Sequence, residues 1–210
     1  MRTAGGLELR GRRVLLRPLV QSDWDAWREV RLRGRAWLLK WEPSQLPHQP
    51  DPADDRRVFN ARCGARDRER QLGTGYGFGI FVPEGRRRSE PVFAGELNLS
   101  GIQRGPFQNG YVGYWIDEAR AGSGYTPEAL VSLFRFAFEE LLLHRLQISI
   151  IPRNTASHRV VEKLGLRTEG VAERYLEING IWEDHVRYAI TSEEWWHRRR
   201  ELLESWILPA

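Results

Sequence analysis

The run Tyr114-Trp115-Ile116-Asp117-Glu118-Ala119-Arg120-Ala121-Gly122-Ser123-Gly124-Tyr125-Thr126 joins a strand-like segment to an apolar-periodic helix through a short glycine-containing loop. Such a junction suits an anion. The first N–H groups of a helix lack intrahelical acceptors, the helix dipole favours negative charge there, and glycine lets the main chain approach a pyrophosphate closely. Pro127 in the first turn gives up no hydrogen bond. A plain turn with a helix cap would use the same residues. Spacing excludes two phosphate folds: no third glycine completes Gly-x-Gly-x-x-Gly, and no Gly-Lys-Ser/Thr follows.

Other groups able to move a proton are few. In Gly95-Glu96-Leu97-Asn98-Leu99, alternation puts Glu96 and Asn98 on the face opposite the two leucines. There Glu96 could serve as a base, or stand in solvent. Cys63, the one cysteine, sits among Arg62, Arg66, Asp67 and Arg68 on what reads as a solvated helix, and it excludes both an internal disulfide and a zinc ribbon. His48, His144, His158, His185 and His197 show neither HExxH nor a carboxylate at ligand spacing, so no metal is expected. Arg86, Arg87 and Arg88 read as a solvated turn, and His185 as a hydrogen-bonded structural residue.

These groups need elements to position them. The 210 residues fit a single domain spanning 1–210. Thirty-two Lys+Arg against 28 Asp+Glu is a mixed, mildly basic balance, with Lys40 and Lys163 the only lysines, and it gives little reason to expect a nucleic-acid binder. Arginines interrupt the first 20 residues and no run approaches the ~18 apolar residues of a spanning helix, so a soluble cytoplasmic protein is expected.

Alternation predicts an opening hairpin over 7–10 and 13–17, ended by Pro18. A helix capped by Ser22, with Asp25 three residues on, buries Trp24, Trp27 and Val30. A proline-rich loop over 41–52 leads to a charged helix over 53–71. Strands over 76–82, 92–103 and 110–116 form an antiparallel meander. After Gly124 a helix buries Leu130, Leu133, Phe134, Ala137, Phe138 and Leu141. A strand over 146–151, a helix over 154–164 stopped by Gly165, strands over 166–178 and 185–190, and a helix capped by Thr191 and Glu194 complete the chain. The fold class is mixed α/β with a largely antiparallel sheet.

Arg120-x-Gly122-x-Gly124 at a strand-to-helix turn resembles the pyrophosphate loop of the GNAT superfamily, the acetyl-CoA-dependent N-acetyltransferases, and the elements run in that family's order. Asn154-x-x-Ser157-x-x-Val160-x-x-Lys163-Leu164-Gly165-Leu166 is similar to its next helix, whose asparagine lies beside the pantetheine arm. Trp41-Glu42-Pro43 and Tyr175-x-x-x-x-Gly180-x-Trp182-x-Asp184-His185 narrow the resemblance to the ribosomal-protein-alanine N-acetyltransferases, the RimJ and RimL group.

The resemblance implies a GNAT fold in which the strand carrying Tyr114, Trp115 and Ile116 splays from a parallel neighbour at 146–151, with acetyl-CoA in the gap and no metal. Arg120, Gly122, Ser123, Gly124, Tyr125 and Thr126 would hold the pyrophosphate, and Asn154 the pantetheine. The Ile116 N–H would polarise the thioester carbonyl. Ser157 matches a proposed acid for the leaving thiolate, or else satisfies the first turn of its helix. The base is Glu96, Glu177 or a water relay: Glu177 lies near the group's glutamate, although a match from Glu169-Gly170 sets Leu176 at that place. Trp41, Glu42, Asn98 and Tyr175 would contact the acceptor. The implied acceptor is a protein N-terminal α-amine, favoured as a ribosomal-protein alanine, with neither DNA nor membrane as partner. Two rivals stay open: a small amine such as an aminoglycoside or polyamine, and a non-catalytic member binding acetyl-CoA or RNA.

Overall fold

A strand buried on both faces reads as a continuous apolar run, and one at an edge does not. Tyr76–Val82 (β3), whose last five residues are buried, is the first kind; Arg167–Ile178 (β7), exposed along nearly its whole length, is the second. The structure, a computed structural model, describes residues 6–43, 50–84 and 90–208. Pro47, His48 and the Arg86, Arg87, Arg88 turn lie outside the described residues. With β1 (Leu9–Arg10), β2 (Leu15–Arg17), β4 (Val92–Gln103), β5 (Asn109–Ile116), β6 (Arg145–Ile150) and β8 (Ile181–Thr191), these strands make one sheet in the order β1-β2-β3-β4-β5-β6-β8-β7. Every neighbouring pair is antiparallel except β5 and β6.

Helices cover both faces. Leu130, Leu133 and Phe134 of α4 (Tyr125–Arg135), Val161 of α5 (Thr155–Lys163) and Trp195 of α6 (Ser192–Trp206) close over Phe78, Ile80, Leu97 and Leu99. On the opposite face, Trp27 and Val30 of α1 (Trp24–Arg33) and Phe59 of α3 (Arg56–Leu72) meet Phe81 and Phe93. A short helix, α2 (Arg35–Leu38), follows α1 and was not anticipated from the sequence. The helix expected to run on to Leu141 widens after α4 into a π turn over Phe136–Glu140, where the Leu141 N–H reaches the Phe136 carbonyl at 3.0 Å.

Several boundaries differ from expectation for identifiable reasons. Ser22 does not cap the first helix. Asp23 ends a 3₁₀ turn, Gln21–Asp23, and its carboxylate both accepts the Val20 N–H at 2.8 Å and holds Arg17 through two bonds at 2.8 and 2.7 Å. A charged acceptor with a guanidinium in reach makes the stronger bonds. The charged helix starts at Arg56 rather than residue 53, because Ala53 is drawn into the smaller core and Asp55 takes the cap, accepting from the Arg57 N–H at 2.8 Å. Likewise β8 begins at Ile181, since Asn179 and Gly180, with φ of 50° and 77°, make the tight turn of a hairpin. Thr191 and Glu194 form the expected reciprocal cap.

One long-range strut fixes the start of α4. Glu128, fully buried in its first turn, accepts the backbone N–H groups of Arg13 and Val14 and pairs with Arg13 Nε at 3.0 Å. Gly11 is required here, since a Cβ would come within 2.6 Å of Glu128 Oε1. Replacing Glu128 by Ala leaves the buried Val14 N–H and the part-buried Arg13 N–H without their acceptor, while the half-exposed guanidinium keeps the Ser123 carbonyl. We expect Glu128→Ala to lose about 2–4 kcal/mol, at ~1–3 kcal/mol for each donor left unsatisfied, read as a fall in the urea midpoint.

Candidate active site

The site begins where a sheet stops pairing. Strands β5 and β6 are hydrogen-bonded in register only from Asn109↔Arg145 to Tyr111↔Gln147, and beyond that they part. The parity of the ladder decides what the gap receives. Asp117 N–H donates to Ala94 O at 2.7 Å, so residues 113, 115 and 117 turn their polar backbone groups to β4, while those of Tyr114 and Ile116 face away from it. Trp37 Nε1 donates to the Ile116 carbonyl at 3.2 Å from that side. The gap opens into a cleft of about 860 Å³ walled by β5, the glycine loop, α5 and the segment from Trp37 to Pro43.

The glycine loop is held at several points. Asp117 caps a 3₁₀ turn, Glu118–Arg120, and grips Arg33 of α1 at 2.6 Å. Gly122 and Gly124 then take φ of 78° and 82°, left-handed values that bring the chain into α4. Arg13, already bound to Glu128, donates to the Ser123 carbonyl at 3.1 Å and lies 4.8 Å from the Tyr125 ring centroid. Tyr114, Trp115, Ile116, Arg120, Gly122 and Gly124 line the cleft, as do Tyr125, Thr126 and Asn154. Ser123 alone of the expected cofactor contacts lies off that wall.

On the facing wall, Asn154 caps α5 by accepting the Ser157 N–H at 3.2 Å. Ser157 lies on the cleft, and its carbonyl accepts from the Tyr114 hydroxyl at 3.3 Å. Burial pushes the Tyr114 phenol well above its usual range, so it stays protonated as a donor.

Between the segment after α1 and β5, Trp37, Leu38, Trp41, Pro43 and Trp115 give the cleft a mainly apolar wall. Glu42 is on it but is gripped by Arg31 through bonds of 2.6 and 2.7 Å, and Arg31 in turn lies 5.2 Å from the Trp115 ring centroid. Asn98 is on the wall as well, and also borders a second cavity of about 240 Å³. Trp37, Leu38 and Arg159 were missed in the sequence; the four-residue spacing of Trp37 and Trp41 was the available signal.

The two glutamates are not brought to the cleft. Glu96 is buried, accepts the Trp27 indole N–H at 2.6 Å, pairs with Arg62, and borders only the smaller cavity. Glu177 is exposed near the end of the β7–β8 hairpin, and Tyr175 packs edge-on to His185 at 5.7 Å, off the cleft wall. His185 is buried with Nδ1 2.9 Å from the Glu183 carbonyl. Cys63 is half-buried against the smaller core rather than solvated, and burial raises its thiol pKa. Among the described residues no cluster of His, Cys, Asp and Glu could hold a metal, and no helix is long and apolar enough to cross a membrane.

Residues 13–167 match the family model of the acetyltransferase (GNAT) domain. The chain belongs to the GNAT family. It is 40% identical over 186 residues to a probable N-acetyltransferase of Bacillus subtilis, YjcK, covering 89% of this chain and 98% of that protein. It is 33% identical over 175 residues to the [ribosomal protein uS5]-alanine N-acetyltransferase of Escherichia coli, covering 82% and 86%. Among solved structures, Mycobacterium smegmatis RimJ in complex with CoA-disulfide superposes with a TM-score of 0.80 at 30% identity, over 95% of this chain and 93% of that one. The chain is therefore an acetyl-CoA N-acetyltransferase of the GNAT family, whose strands part beside a glycine loop.

Gly122 offers a clean test of that loop, because nothing lies within 4 Å of where its Cβ would be. Both Gly122→Ala and Gly122→Glu carry the left-handed strain of about 1–2 kcal/mol. Only the glutamate adds charge against a phosphate. In calorimetric titrations with CoA, Gly122→Glu should weaken binding by more than about tenfold relative to Gly122→Ala, a like-charge penalty of ordinary size.

Proposed function

We propose that this acetyltransferase, with residues 1–210 working as a single domain, acts on the α-amine of a protein N-terminus, a ribosomal-protein alanine being the favoured acceptor. The observation that carries the reading is the acceptor end of the cleft, aromatic at Trp37, Trp41 and Trp115, with its one carboxylate, Glu42, already neutralised by Arg31. Of the other carboxylates of the acceptor loops, Glu183 is held by Arg153 at 2.7 and 2.8 Å, Asp184 by the Arg174 N–H at 2.8 Å and Asp51 by the Ala53 N–H at 2.8 Å, while Glu177 is exposed and off the cleft wall. A polyamine or aminoglycoside needs free carboxylates; a small uncharged N-terminal residue needs apolar walls. The kinship with an enzyme named for the alanine of uS5 supports the same acceptor. Such an acceptor goes with a cytoplasmic protein.

In this reading the chain's own groups divide the work. Gly122, Gly124 and the first N–H groups of α4 bind the pyrophosphate, with Arg120 beside them. Asn154 borders the pantetheine arm. Ile116 N–H, freed by the parting of β5 and β6, donates to the thioester carbonyl and stabilises the oxyanion as the amine attacks. Ser157 hydroxyl protonates the departing thiolate. The attacking amine must be neutral, and an α-amine titrates near about 7.7–8.0 against roughly 10.4 for lysine, so it asks little of a base. Glu96 is committed to Trp27 and Arg62, and Glu177 stands away from the cleft, so the proton leaves through a water chain.

Acetyl-CoA-dependent mass gain on a peptide panel tests the acceptor. Peptides with a free N-terminal Ala or Ser should gain one acetyl group, while N-blocked peptides with an internal Lys and an aminoglycoside gain none; gain on the aminoglycoside alone would overturn the reading. For Ser157→Ala we expect kcat to fall by about a hundredfold with little change in KM, the usual size of an acid's contribution. An unaltered kcat would leave that hydroxyl a helix-turn residue only.

A further inference from the structure

Trp37 and Trp41 both stand on the cleft wall, and the 3₁₀ turn Leu39–Trp41 carries Lys40 between them in sequence. The Lys40 ammonium lies 5.1 Å from the Trp37 ring centroid and 5.4 Å from that of Trp41. Lys40 is exposed and is not itself on the wall, so it meets the two rings from outside the cleft. The turn is held from the β7–β8 hairpin, where Asn179 Nδ2 donates to the Leu39 carbonyl at 2.7 Å. Arg153 approaches the same Trp41 ring, at 5.7 Å from its centroid.

The charge of Lys40 is what distinguishes it from its neighbours. Arg31 and Arg153 are balanced by Glu42 and Glu183. Among the described residues Lys40 has no carboxylate partner. It is also one of two lysines in a chain that otherwise uses arginine, and an ammonium is a compact point charge with no planar fork to grip a carboxylate. The faces of two bare tryptophans attract cations and would gather an ammonium or a polycation. With Lys40 already against the rings, a second cation brought to their cleft side loses part of that attraction and meets a like charge across a region poor in water. We infer that Lys40 is a specificity residue, which turns an aromatic wall that would collect cationic amines into one that rejects them, so that the preferred acceptor is an α-amine whose neighbouring residues carry no positive charge. The inference rests on the α-amine reading above, with the tryptophan wall as its acceptor side. It adds rejection by repulsion to a wall that otherwise lacks only the carboxylates to attract such amines.

Initial rates of the full chain on two peptides with a free N-terminal Ala, one continuing Gln-Gln and the other Lys-Lys, test it. The kcat/KM of the unaltered protein should favour the Gln-Gln peptide by about fivefold at low salt, the size of a partly screened like-charge contact. That preference should shrink to within about twofold at ~1 M salt, where the screening length falls to ~3 Å. Lys40→Met should bring the two peptides within about twofold of each other at low salt, chiefly by raising kcat/KM for the Lys-Lys peptide, and Lys40→Arg should keep the preference, since the contact needs only a cation. A Lys40→Met protein with the full preference overturns the inference, as does a preference of the unaltered protein that salt leaves unchanged, or equal rates on the two peptides; each of these leaves the α-amine reading standing. If the unaltered protein acetylates neither peptide, the α-amine reading fails and this inference with it.

Discussion

Buried backbone polar groups require partners, and the structure is organised around the one place where a sheet declines to supply them. Strands β5 and β6 pair over Asn109 to Tyr111 and then separate. A sheet that opens in mid-strand would be unstable without supports on both sides of the opening. They are visible: Trp37 from the segment after α1 donates to the Ile116 carbonyl, the Tyr114 hydroxyl bridges to the Ser157 carbonyl of α5, and Gly95 lets β4 lie close against Trp115 on the paired side. The backbone N–H groups of Tyr114 and Ile116 are left facing the opening, and the second is the donor proposed above for the thioester carbonyl.

Ion pairs place the helices around that opening. Asp117–Arg33, Glu96–Arg62, Asp23–Arg17 and Glu128–Arg13 each join a buried carboxylate to an arginine from another element or turn. Such pairs add little net stability compared with an apolar replacement, yet removing the arginine leaves a buried carboxylate without its counter-charge, so they act chiefly as positional locks. Arginine suits the task because its planar fork grips both carboxylate oxygens, as Arg31 does with Glu42. A chain with only two lysines has many such forks to deploy.

Much of this was legible in the sequence, where local chemistry carried the signal. The glycine loop and the apolar period of α4 could be read from neighbouring residues, and the Thr191–Glu194 cap from a four-residue pattern. Features set by distant partners were not. Asp23 displaced Ser22 as the capping group because Arg17 was in reach, and the alternation around Glu96 gave its face correctly but not Arg62 and Trp27, which arrive from other helices. The Asn179-Gly180 turn is a local signal, whereas apolar alternation alone starts β8 at His185, four residues after its true beginning. The parting of β5 and β6 has no local signature at all: it came from the resemblance to a family, not from periodicity.

The hairpin of β1 and β2 touches more than the start of α4. Arg12, next to the Arg13 that braces Ser123 and Glu128, donates to the Leu208 and Glu204 carbonyls at 2.7 and 2.9 Å, contacts between positions 196 and 192 apart in sequence. The glycine loop is therefore backed by segments that lie far apart in the sequence. Closing contacts of such long range is slow and comes after local structure has formed. The central strands can form from contacts nearer in sequence, but the buttress behind the glycine loop is complete only when α6 has docked on the first hairpin.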